Sequence, residues 1–179
     1  MIGEKTKEVE NFWQEARRKH KIATNDYHAC TLGHPDAFDP DVPSLDLSDQ
    51  PRLIGKNQKR GTAHLAREFE ANKISRRKVG DYWIILDYDN APLFLVQVTE
   101  VEVTPFNNVT ETWAAVEGEG DSSLAWWADA HYEYYTRQCK PLGIIWRDDL
   151  PVVCETWKVI EPAERGRAAM NAKPRQKAP

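Results

Sequence analysis

Glu117, Glu119 and Asp121 occupy alternate positions in the run EGEGD, a spacing that lets three carboxylates gather around a calcium or magnesium ion. The same run has a plainer use. Gly118 and Gly120 suit turns, Asp121 suits the cap of a following helix, and no 12-residue loop closed by Glu is present, so capping ranks above metal. The histidines (His20, His28, His34, His64, His131) lack ligand spacing, and Cys30, Cys139 and Cys154 form no C-x-x-C pair. Neither a metal nor a cofactor is expected. The odd number of thiols argues against a secreted disulfide scaffold, and buried thiols acting as small hydrophobes are the simpler reading.

Charge is sorted along the chain. Residues 52–78 hold nine Lys and Arg against Glu68 and Glu70, a local charge of +7, whereas residues 79–136 hold eleven acids and no Lys or Arg. The net charge of -4 hides this division. The basic stretch, with Arg60, Arg76, Arg77 and Lys78, suits phosphates at the mouth of a site; equally, it suits a solvated face that balances the acidic half. Seven tryptophans offer stacking surfaces as well as core. Trp126 and Trp127 lie ~100° apart on a helix, so one of them is expected near solvent or a ligand.

These residues need a scaffold. At 179 residues and 41% hydrophobic, the chain fits one domain with a substantial core. Val9, Phe12, Trp13 and Ala16 share one face of an amphipathic helix. Residues 33–51, rich in Pro and Asp, read as an irregular connection. Residues 82–87 and 93–103, separated by Asp89-Asn90, read as a β-hairpin. Thr110 caps a short helix through Ala115, Asp121 or Ser122 a second through Arg137 with Leu124, Trp127, His131 and Tyr134 on one face, and residues 152–160 form a closing strand. The domain is expected to span 1–161, with 162–179 a disordered basic tail. The charged N-terminal stretch and the lack of a ~20-residue apolar run point to the cytoplasm and away from membranes.

Three segments in this order resemble the ASCH family. GKNQKRGTA at 55–63 resembles its Gly-Lys-Lys-x-x-Thr loop, KVGDYWIIL at 78–86 its Val-Gly-Asp strand start, and FNNVTETWAAVEGEGDSSL at 106–124 its EGEGD segment, followed by Trp127 and His131. Cys154-Glu155 resembles its closing strand. Asn57-Gln58 lengthens the first loop, and Ala128 stands where many relatives carry Arg. The resemblance implies an α+β fold, a PUA-like mixed β-barrel with flanking helices, and RNA or a nucleoside or nucleotide as partner. It further implies Lys59, Thr62 and Glu117 as catalytic residues, by likeness to members that hydrolyse acetylated cytidine, and Ser123, Trp127 and His131 beside the substrate. Other members with EGEGD are described as ribonucleases or as RNA-binding modules.

The chemistry of the trio turns on Lys59. A neutral amine takes a proton from Thr62 or from water attacking an amide carbonyl, and Glu117 returns it to the leaving amine. An ionised Glu117 against Lys59 instead keeps the lysine charged, a clamp and no base. The leading expectation is an RNA- or nucleobase-binding hydrolase acting through Lys59, Thr62 and Glu117; a non-catalytic RNA- or nucleotide-binding module is the alternative, and protein interaction through the acidic face is a third.

Overall fold

The computed structural model describes residues 3–32 and 49–172. In chain order the elements are α1 (Lys7–Lys19), β1 (His28–Thr31), α2 (Gln50–Gly55), β2 (Gly61–Leu65), α3 (Ala66–Ala71), β3 (Tyr82–Leu86), β4 (Pro92–Pro105), α4 (Glu111–Glu117), α5 (Leu124–Cys139), β5 (Pro151–Pro162) and α6 (Glu164–Asn171). A single 3-10 turn, Phe106–Asn108, follows β4.

The strands form one curled sheet in the order β1-β3-β4-β5-β2. β1 runs parallel to β3, and the other pairs are antiparallel. β1 and β2 are therefore the edges of a half-barrel. Both faces of β3 are buried, which explains its unbroken apolar run. Ile84 and Leu86 pack with Val9, Trp13 and Ala16 of α1, while Trp83 and Ile85 pack with Phe94, Val96 and Trp157 on the other face. At the far end of the sheet, Ala63, Leu65 and Cys154 meet Phe106, Trp127 and Tyr135 under α5.

Local signals act where they were read, with shifted ends. Thr110 caps α4, its hydroxyl accepting from Trp113 N–H at 3.3 Å, but the helix continues to Glu117. Ser123 rather than Asp121 or Ser122 caps α5, accepting from Trp126 N–H at 3.1 Å. Asp121 instead accepts the Ser123 N–H at 2.9 Å and closes the turn before it.

Two expectations change. Of the irregular stretch 33–51, positions 33–48 lie outside the described residues, and Gln50 and Pro51 open α2, where a proline in the first turn costs no hydrogen bond. Within the expected disordered tail, residues 164–171 form α6, docked on α2 and β4. Small residues make this docking. A Cβ on Gly166 would sit 2.0 Å from Leu93 O, one on Gly55 2.1 Å from Met170, and Ala163 N–H donates to Leu93 O at 2.9 Å. Residues 173–179 lie outside the described residues.

Candidate functional site

Backbone contacts bring the loop before β2 against the end of α4. Arg60 N–H donates to Val116 O at 2.9 Å, and Lys59 N–H to Leu53 O at 3.1 Å. Gly118 ends α4 in the left-handed region at φ 61°, and a Cβ there would lie 2.3 Å from Gln58 O. Only glycine combines that φ with that approach. The result places Glu117 on Lys59 across 58 positions of sequence.

Lys59 Nζ lies 2.7 Å from Glu117 Oε2 and 2.7 Å from Glu119 Oε1. Glu119 also accepts from Gln50 Nε2 at 2.9 Å. Glu117 Oε1 takes the Trp127 indole N–H at 3.0 Å and lies 3.4 Å from His131 Nε2. His131 donates Nδ1–H to Trp127 O at 2.9 Å and stacks on the Trp127 ring. Lys59 and Glu117 are each 1% exposed. Burial by itself would lower the Lys59 pKa, but Glu117 and Glu119 outweigh it and hold the ammonium above the ordinary lysine range. Burial likewise works against an ionised Glu117, yet Lys59 and His131 pull its carboxyl well below the usual carboxylate range. The cluster is a charged clamp: the lysine has no lone pair to act as a base, and the carboxyl has no proton to give.

Thr62 stands apart from that pair. It is buried in β2 opposite Glu155, and among the described residues no hydrogen bond joins it to Lys59 or Glu117. Strand alternation puts Thr62 and His64 on one face and Ala63 and Leu65 on the Trp127 side.

On the Thr62 face a second cluster forms around Arg77. Its Nε lies 2.7 Å and its Nη2 2.6 Å from Glu155 Oε2, its Nη1 meets Cys30 Sγ at 3.4 Å, and its Nη2 meets His64 Nε2 at 2.9 Å. The guanidinium also lies over Trp83, 4.0 Å from the ring centroid. This corrects one expectation: Arg77 does not stand at a mouth awaiting phosphate, because its donors are engaged inside the protein. Arg76 is half-buried near Glu70 at 3.7 Å, while Arg60 and Lys78 are exposed. A cleft of ≈ 350 Å³ opens over this cluster, lined by Tyr27, His28, Cys30, His64, Phe69 and Arg77 among others.

The remaining candidates have structural posts. Ser123 is the α5 cap, Trp127 is buried, and Trp126 is half-buried against Gly120. The alternating carboxylates divide, Glu117 and Glu119 going to Lys59 and Asp121 to Ser123, and no group of three metal-ligating side chains gathers among the described residues. Sequence reasoning missed Glu119 as the second partner of Lys59, and His64 and Glu155 beside Arg77. The signal for His64 was its place two residues after Thr62 in one strand.

A curled mixed sheet flanked by helices, with a buried Lys–Glu clamp beside β2, defines an α+β half-barrel of the PUA-like type. Sequence comparison makes this specific: a model of the ASCH domain matches residues 44–161, and the chain belongs to the ASCH domain family, whose PUA-like fold is generally RNA-binding. Solved structures agree in fold. The ASCH domain from Lactobacillus crispatus JV V101 is 26% identical with a TM-score of 0.69, covering 86% of this chain and 91% of that one. Protein EF3133 from Enterococcus faecalis V583 is 23% identical with a TM-score of 0.74, covering 95% and 98%. No curated protein matches the chain. No helix among the described residues is long and apolar enough to cross a membrane.

Proposed function

We propose that this chain is a binding module for RNA or a modified nucleobase, in which the Lys59 clamp fixes the loop before β2 and the EGEGD turn. One observation carries this reading: Lys59 Nζ is locked between two carboxylates at 2.7 Å each in a buried setting, so the resting protein holds neither base nor acid in the form hydrolysis needs. Family membership supplies the ligand class. The exposed cations Lys56, Arg60, Lys73 and Lys78 then act on the phosphate backbone, where each contact adds to the salt dependence of binding.

A second reading, hydrolysis of an acetylated cytidine or of RNA, is favoured by the meeting of Lys59 and Glu117 across 58 positions. It needs substrate to enter the clamp and release the lysine's proton. Titration with short single-stranded RNA at several salt concentrations, alongside an assay for acetate release from acetylated cytidine and for RNA cleavage, separates the two. The expected result is salt-dependent RNA affinity without turnover. Turnover that disappears in Lys59→Ala would replace the binding module by the enzyme.

A further inference from the structure

The cleft above Arg77 has an unusual distribution of hydrogen-bonding capacity. Arginine has only N–H donors, so its 2.9 Å contact with His64 Nε2 makes that nitrogen the acceptor and leaves the proton on Nδ1. Burial, and then Arg77 itself, hold the imidazole well below the ordinary histidine range, in keeping with this neutral tautomer. Among the described residues no group hydrogen-bonds Nδ1, and His64 lines the cleft. The fold has thus fixed one neutral N–H donor and left it unused.

The cations nearby are already committed. Arg77 serves Glu155, Cys30 and His64; Lys5 Nζ donates to Tyr27 O at 2.8 Å and lies 3.9 Å from the Tyr27 ring centroid. The charge of Arg77 is therefore balanced by Glu155 inside the protein, and the one that exposed Lys5 keeps faces solvent. A purely apolar ligand would bury the His64 N–H unpaired, which disfavours it. The walls include the rings of Tyr27 and Phe69, the latter edge-on to His64 at 5.5 Å. A volume of ≈ 350 Å³ is at the small end of the roughly 300–1,000 Å³ of small-molecule sites, suited to a single heterocycle.

We infer that the cleft between β1, β2 and α3 takes one nucleobase, whose carbonyl oxygen or ring nitrogen accepts the His64 Nδ1–H. This deepens the nucleic-acid reading, on which it rests, and moves base recognition from the Lys59 clamp to the opposite face of β2. The ligand is neutral and planar at its recognised end, while sugar and phosphate leave through the mouth.

The test uses the full chain with ¹⁵N-labelled histidine. Cytidine, uridine, adenosine, guanosine and a short single-stranded RNA are added separately while the His64 Nδ1 resonance is followed. A saturable shift of Nδ1 with one of these supports the inference, and His64→Phe is then expected to weaken that binding about tenfold. Binding of RNA or a nucleoside that leaves Nδ1 unmoved overturns the inference and leaves the RNA-binding reading standing. If neither RNA nor any nucleoside binds, both fall. The wild-type measurement does not depend on the variant folding.

Discussion

Lys59, just before β2, and Arg77, which meets β2 at His64, are both buried cations held by buried carboxylates, yet they are built differently. Lys59 has two carboxylate partners, and the side chains around it are closed over by Trp127 and His131. Arg77 has one, Glu155, and also meets an imidazole and a thiol beside an open cleft. An ion pair with surplus acceptors and no access fixes a loop. An ion pair that orients a neutral imidazole at the floor of a cleft presents a donor to a ligand. Burial and charge alone would rank the two as equivalent, and the difference lies in what the partners leave unsatisfied.

The largest expected effect comes from removing the carboxylates. Glu155→Gln leaves Arg77 buried without its one carboxylate and is expected to cost about 3–5 kcal/mol in urea unfolding. Glu117→Gln leaves Lys59 still paired with Glu119 and should cost roughly half as much. Equal losses would break the distinction between the clusters.

A smaller effect distinguishes them by pH. His64 titrates lower when folded than unfolded, so the unfolded chain binds the extra proton; its contribution is complete above the ordinary histidine value of ~6.5 and is lost as pH falls below it. His28, also lowered by burial, adds in the same direction. Glu117 has a depressed carboxyl, so its contribution holds above ~4.3 and is lost only further down. Thermal melts should therefore decline in two limbs, and His64→Asn should flatten the first alone. A single decline confined to the carboxylate range would contradict the neutral, half-buried His64.

Much of the scaffold was legible because its signals are local. The α1 stripe, the β3–β4 hairpin, the Thr110 cap and the β5 run each depend on residues close in sequence. α6 was not, because Gly166 and Ala163 dock by close backbone approach and present no apolar stripe. Lys59 and Glu117 were reached through the resemblance, and the turn that joins them needs Gly118. The fate of Arg77 was hidden for a different reason. In sequence it is one cation in a basic run; its burial depends on Glu155, 78 positions away, and on the Trp83 ring beneath it. Thr62 shares a face of β2 with His64, a placement set by strand alternation that a loop motif does not reveal.

Held between Glu117 and Glu119, Lys59 acts as a charged clamp. The most direct measurement is a pH titration of the Lys59 side chain by ¹³Cε or ¹⁵Nζ NMR in the full chain, with Lys59→Arg used to assign the signal. The ammonium is expected to stay protonated through neutral pH and to titrate above the ordinary lysine value of ~10.4, its contribution to stability being lost only as pH rises through that folded value. A Lys59 signal that titrates near neutrality would contradict the account and restore the lysine as a base.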